Sequence, residues 1–522
     1  MKYIVQALFW VIVGCDTPFF SSNEHNYQTP FEKSDGKKSS TYEEVIDYYK
    51  VLSKEFASIS FKTMGETDSG QPLHLVIYSP DAEFNLSKYH KDRTIIFVNN
   101  ATEGDATEGV DATMLLFRNL AQKEIKLSEN VIVVTIPVYN IGGMLLGRKE
   151  SEAQYNLNSD FVKADVENTF SFAKIFREVQ PDLFINNGRT SRGGEDFRHL
   201  LTYSISEREK MGTFLGGYLE DVLMPRITDS LLKRQSLFEK DSLSVPFWRP
   251  LFEPTTHRAQ TAMGYVELWD CLGIDISTHA YHNKPYKQLV EANYEMMKTI
   301  IEIVSADNDY IKQLRIKQKE ANAVSKDYPV KWEIDSTHQS TREVYTYEED
   351  TITEVYLEAR KPRKPSIQQK SYYNRLKVVE QVKVPKSYIV PKIWGKVIDR
   401  LKANGVEMTS LEKDTLMVVN AYRIADFKTL SSPFEGHYLH YDTQVTKYQT
   451  KKQFYKGDYM VALAQPAKRF LLETLEPQAP DSFFNWNFFD VILKKEEVDP
   501  KVLGITDNDI GPTYPIYSCD LQ

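Results

Sequence analysis

Histidine and cysteine are scarce in this chain of 522 residues, at ten and three respectively. Three cysteines, Cys15, Cys271 and Cys519, cannot build a disulfide scaffold. No His-Glu-x-x-His or Cys-x-x-Cys arrangement occurs, so the common contiguous zinc motifs are missing. A basic excess is also missing: 64 Lys and Arg stand against 73 Asp and Glu, a formal net charge of −9, which excludes nucleic acid as an expected partner. The apolar run from Tyr3 to Gly14, broken only by Gln6, is too short to span a membrane comfortably. Aromatics, by contrast, are plentiful. The 31 tyrosines and 27 phenylalanines suggest β-rich, amphipathic surfaces. The length suffices for two or three domains, each with its own core.

Residues 1–14 read as a targeting segment, with Lys2 ahead of the apolar run. The run ends Ile12-Val13-Gly14-Cys15, which resembles a bacterial lipoprotein signal. That resemblance implies lipidation at Cys15 and a place in the bacterial cell envelope, periplasmic or surface, held without a transmembrane helix. Residues 15–40, rich in Ser, Asn, Lys and Pro, read as a flexible tether. From Tyr42 a helix is expected, capped by Ser40 or Thr41, with Val45, Tyr48, Tyr49 and Leu52 on one face.

The rest of the chain is organised around residues 94–112. Ile95 to Val98 reads as a buried parallel strand. A glycine-bearing turn follows, and Val110, Met114, Phe117 and Leu120 then fall at helical spacing over 109–122. Further buried strands are expected at 131–138 and 183–186, the last preceded by a helix through Phe170, Ala173, Phe176 and Val179. A helix over 206–223 and another over 285–304 complete the pattern. Alternating short strands and helices predict an α/β domain over 41–325, a mostly parallel mixed sheet flanked by helices. Chemistry in such a sheet sits at the carboxyl ends of the strands.

Several motifs in order resemble the carboxypeptidase A-like zinc peptidases, in a bacterial branch that carries a C-terminal β-rich domain. The turn Asn99-Asn100-Ala101-Thr102-Glu103-Gly104-Asp105-Ala106-Thr107-Glu108-Gly109 is similar to that family's first zinc loop, N-N-G-I-H-P-G-E-P-D-G. Tyr155-Asn156-Leu157-Asn158-Ser159-Asp160-Phe161 resembles its N-L-N-R-D-F motif. Phe184-Ile185-Asn186-Asn187-Gly188 resembles the second ligand region. Gly273-Ile274-Asp275-Ile276-Ser277-Thr278-His279 resembles the strand carrying the general base. The resemblance places the zinc ligands at Glu103, Ala106 and Gly188, the base at Ser277, and the arginine that holds the substrate carboxylate at Ser159. Asn158, its companion in substrate binding, is retained.

Zinc needs about three protein ligands and an open position for water, and Ala106 and Gly188 supply no donor. The expectation is therefore no cofactor where the family has zinc, and no catalytic residue. The resemblance then implies a lipid-anchored protein whose cleft binds a peptide, a cell-wall fragment or a protein partner. The alternative is an active zinc-dependent metallocarboxypeptidase removing C-terminal residues from peptides. Asp275, two residues before Ser277 on one strand face, is a conceivable displaced carboxylate. The acidic loop Glu103, Asp105, Glu108 and Asp111 could suit a hard cation or be a solvated turn at a helix N-terminus. His279 with His282, and His437 with His440, are pairs lacking a third partner. Thr190, Ser191, Ser277 and His279 imply no triad, since strand neighbours face opposite ways.

Residues 326–495 read as a smaller β-rich domain. Strands are expected over 328–357 and 371–384, a short helix after Pro391 stopped by Gly405, and a strand over 459–463. The basic loop 360–365 reads as a solvated turn. The aromatic stretch 473–489 resembles the same branch, and its rings are expected in the core. Residues 496–522 form a tail without a readable pattern.

Overall fold

The computed structural model describes residues 27–189, 199–234, 248–250, 258–279, 285–347, 365–494 and 512–520. Its first body is built on a sheet of eight strands: β1 (Ile59–Thr63), β2 (His74–Tyr78), β3 (Thr94–Asn100), β4 (Val131–Ile136), β5 (Leu183–Arg189), β6 (Leu201–Ile205), β7 (Trp248–Pro250) and β8 (Leu272–Thr278). Their spatial order is β1-β2-β4-β3-β5-β8-β6-β7. The pairs β4/β3, β3/β5, β5/β8 and β6/β7 are parallel, and the others antiparallel. The fold class is thus α/β with a mixed, mostly parallel sheet. β3 is buried along its whole length, as a strand covered on both faces must be. Phe97 meets Phe172 and Phe184 at 5.9 and 5.5 Å between ring centres, which ties β3 to the helix Glu167–Val179 and to β5.

The helices follow the expected faces. Tyr42–Glu55 buries Val45, Tyr49 and Leu52. Its cap is Thr41, whose side chain accepts from the Glu44 N–H while Glu44 returns a bond to the Thr41 N–H. Ser40 instead binds into the core, where its hydroxyl donates to Asp111 Oδ1 at 2.5 Å. Glu108–Ala121 follows β3, and Tyr286–Ala306 packs against it. The helix expected over 206–223 continues further. Arg208–Tyr218 passes through a π-helical turn, Leu219–Leu223, into Met224–Arg234. Strand β1 and the helix Asn308–Val324 have no counterpart in the sequence reading.

Two boundaries change. The tether assigned to 15–40 is not a tether over its second half. Thr29 caps a short helix, Pro30–Lys33, whose Phe31 is buried, and Ser40 is tied to Asp111 in the core. One aromatic anchor and one buried hydrogen bond outweigh the polar composition. The tail is also partly ordered: Tyr517–Cys519 enters the β-rich body as a strand between Ser387–Val390 and Thr415–Thr429.

That second body begins with Asp327–Ile334 paired to Leu376–Lys383, and Gln339–Tyr347 paired to Pro365–Tyr373. A six-stranded antiparallel sheet follows, with a long hairpin, Thr415–Thr429 and His440–Phe454, at one edge. Gly405, at φ 69°, follows the helix Gly395–Ala403 as a left-handed stop. Phe483, Phe484, Trp486 and Phe489 are fully buried. The two bodies share one continuous core, running from Phe31 to Ile516. Polar ties reinforce it: Lys163 pairs with Asp160 and Asp165, His437 reaches Asp165 at 2.8 Å, and Arg400 donates to the Lys163 and Ala164 carbonyls. Among the described residues no helix is long and apolar enough to cross a membrane. Cys15 and residues 360–364 lie outside the described residues.

Candidate functional site

Parallel register carries one row of polar side chains across the carboxyl end of the sheet. Asn99 of β3 stands beside Asn186 of β5, which stands beside Asp275 of β8. Residues in register on parallel strands share a face, so these three side chains meet. Asn99 Nδ2 donates to Asn186 Oδ1 at 3.1 Å, and Asn186 Nδ2 donates to Asp275 Oδ1 at 2.8 Å. Thr102, in the turn after β3, donates to Asn186 Oδ1 at 2.8 Å. Asn99 Oδ1 is buried without a partner among the described residues, so the row has one acceptor to spare.

Two residues further on, Gly188 lies beside Ser277. The turn after β3, with Ala101 at φ 52°, folds Glu103 back over this pair. Glu103 Oε2 comes within 2.8 Å of the point where a Cβ on residue 188 would stand. Glycine at 188 therefore leaves a space, and the Glu103 carboxylate occupies it. Ser277 Oγ donates to Asp275 Oδ2 at 3.0 Å. Burial first, and the Asp275 charge second, push the Glu103 carboxyl up to about 7. Glu103, Gly188 and Ser277 thus come together, with Asp275 as a second carboxylate beside them.

The remaining expected positions are engaged elsewhere. Ala106 is buried, and its N–H donates to the Glu103 carbonyl. Asn158 Oδ1 accepts from the Ala262 N–H at 3.1 Å, and Ser159 Oγ accepts from Asn156 Nδ2 at 3.2 Å. The acidic loop does not act as one group. Arg189 takes Asp105 and Glu108 at 3.1 and 2.7 Å, while Asp111 accepts from Ser40 and from Tyr286. A guanidinium in the middle and separate partners on either side remove the cation-site reading for this loop. His437 and His440 point to different acids, Asp165 and Asp490. His279 Nε2 lies 3.3 Å from Thr202 Oγ1, and His282, Thr190 and Ser191 lie outside the described residues.

The zinc that the sequence resemblance implies does not fit these side chains. Glu103 offers a single carboxylate, Ala106 and Gly188 offer no donor, and the space a side chain at 188 would use is filled. Among the described residues no three His, Cys, Asp or Glu side chains are grouped as a metal would need. The row Asn99–Asn186–Asp275 escaped the sequence reading except for Asp275. The signal for the others was the repeated Asn-Asn at the ends of two adjacent strands, Asn99-Asn100 and Asn186-Asn187.

Solved structures similar to this chain include metallocarboxypeptidases. Carboxypeptidase A from Helicoverpa armigera is 13% identical, with a TM-score of 0.40, over 55% of this chain and 75% of that one. The metallo-carboxypeptidase from Pseudomonas aeruginosa is 14% identical at 0.37, over 51% and 69%. That from Burkholderia cenocepacia is 12% identical at 0.36, over 52% and 70%. No protein-family model and no curated protein matches the chain. At these scores the likeness carries no weight of its own, and the functional reading rests on this chain's own residues.

Proposed function

We propose that this chain is a lipid-anchored protein of the bacterial cell envelope with a carboxypeptidase-like domain that binds peptides, cell-wall fragments or a protein partner without hydrolysing them. The observation that carries the reading is the seat of Glu103 over Gly188. A carboxylate fills the space that a ligating side chain at 188 would need, with no donor at 106. One protein ligand does not hold zinc against water. Ser277 offers a hydroxyl already bonded to Asp275, so no carboxylate stands at 277 to accept a proton from water. Ser159 is no substitute for a planar, permanently charged fork on a substrate carboxylate. What this end of the sheet retains is a row of hydrogen-bonding groups, Asn99, Asn186 and Asp275, with one acceptor to spare.

The test is metal analysis of the purified protein beside a chelator-sensitive assay for release of C-terminal residues. The expected result is no stoichiometric zinc and no release above background. About one zinc per chain, with activity abolished by chelator, would overturn the proposal and establish an active metallocarboxypeptidase instead. A triple variant, Glu103→His, Ala106→Glu and Gly188→His, should gain zinc but not turnover, which should additionally need Ser277→Glu and Ser159→Arg.

A further inference from the structure

The seam between the α/β body and the β-rich body holds a cavity of about 580 Å3, open to solvent on one side, a volume typical of sites for drug-sized molecules. The end of helix Glu167–Val179, Trp269, and the last turns of Asn308–Val324 line one side. Asn404, Gly405, Glu407 and residues 463–469 of the β-rich body line the other. Trp269 gives it a flat apolar wall. Its ring stacks on Phe470 at 5.9 Å and 23°, and it meets Tyr265 at 6.1 Å.

The charge around this wall is mostly of one sign. Arg177, Arg315, Lys319, Lys468 and Arg469 face Asp270 and Glu407, a cationic excess in a chain of net charge −9. Three of those cations are already committed. Arg469 pairs with Asp270 at 3.0 Å and donates to the Glu267 carbonyl. Arg315 pairs with Asp182 at 2.6 Å and donates to the Gln180 and Trp269 carbonyls. Lys468 donates to the carbonyls of Asn322, Ala323 and Ser325, closing the end of their helix.

Arg177 and Lys319 remain. Neither has an ion-pair or hydrogen-bond partner among the described residues. Arg177 lays its stem against Gly405, where any Cβ would stand 2.1 Å from Arg177 Cδ. The Arg315 charge first, and burial second, lower the Lys319 ammonium to about 8. Asp270 and Asp182 pull the other way without restoring it, and an anion seated beside the ammonium would favour its charged form.

We propose that this cavity binds a small organic anion with a flat apolar body, its rings or chain against Trp269 and its charge between Lys319 and Arg177. Such a ligand touches both bodies, so its binding also raises the unfolding midpoint.

The test uses 2-naphthoate and its uncharged counterpart 2-naphthamide, titrated into the purified full-length protein by calorimetry. Saturable binding of one naphthoate per chain is expected, at least tenfold tighter than the amide. Arg177→Glu with Lys319→Glu should weaken naphthoate at least tenfold and leave the amide within twofold. Lys317→Glu, on the same helix but not lining the cavity, should change neither. Both altered residues reach solvent, although the Lys319 ammonium is drawn into the cavity, and neither loses an ion pair or hydrogen bond among the described residues, so an unchanged unfolding midpoint without ligand is expected. If the double variant does not fold, Ala464→Trp, which fills the cavity from an exposed position, should abolish binding of both probes. No saturable naphthoate binding, equal affinity for the amide, or naphthoate binding unmoved by the double variant or by Ala464→Trp would each overturn the proposal.

Discussion

Replacing Glu103 by Gln should stabilise the protein at neutral pH and leave it unchanged in acid. Glu103 is only 9% exposed, and burial with the Asp275 charge lifts its carboxyl from 4.5 to about 7. Because the folded state holds this proton more tightly than the unfolded one, the sign of the effect is set. Below pH 4.5 both states are protonated and the residue costs nothing. Between 4.5 and 7 the unfolded chain ionises first, so stability falls as pH rises. Above 7 the folded state carries the full cost, about 3 kcal/mol from the size of the shift. Glutamine keeps the shape and an acceptor oxygen for the Arg189 N–H that the carboxylate holds, and it never ionises. Urea unfolding of both proteins at pH 4, 6 and 8 measures the difference. The variant should match the parent at pH 4 and exceed it by a few kcal/mol at pH 8, at equal m value. A difference that is the same at all three pH values would refute the reasoning, as would a variant less stable than the parent at pH 8.

Arg189→Ala should cost about 3–5 kcal/mol, because it strands Glu108, 1% exposed, without its countercharge. Thermal unfolding reads the loss, and adding Glu108→Gln should restore more than half of it. Gly188→Ala should cost about 1–2 kcal/mol by displacing the Glu103 carboxylate from its seat. That cost should vanish in a Glu103→Ala background, so a double-mutant cycle without coupling rejects the packing argument. Cys15→Ala should release the protein from the membrane fraction, and sedimentation with membranes after high-salt washing would count against lipidation.

The strands of the central sheet were legible because β-branched runs such as Ile95–Val98 and Val131–Val134 admit little else, and parallel pairing follows from the helices between them. The gathering of Glu103, Gly188 and Ser277 was legible only through the resemblance. What stayed hidden depends on contacts remote in sequence. Nothing in the composition of 27–40 announces that Ser40 reaches Asp111, or that Phe31 finds a place in the core. Tyr517–Cys519 becomes a strand only because two distant strands leave it a slot, and a three-residue strand has no periodicity to read. The turn that carries Glu103 passes through a left-handed residue, Ala101, a conformation that no side-chain pattern here encodes.

The docking of residues 27–40 shortens the leash that an anchor at Cys15 would provide. A free segment from 15 to 41 counts 26 residues and could stretch about 90 Å, whereas docking from Tyr27 onward, whose carbonyl accepts from Tyr48 and whose ring meets Phe56, leaves 12 residues and a reach of at most about 40 Å. That standoff is roughly the width of a 150-residue domain. The docked end of the segment would then stay that close to the lipid, and the face of the α/β body around Tyr27 and Phe56 would be turned toward the membrane.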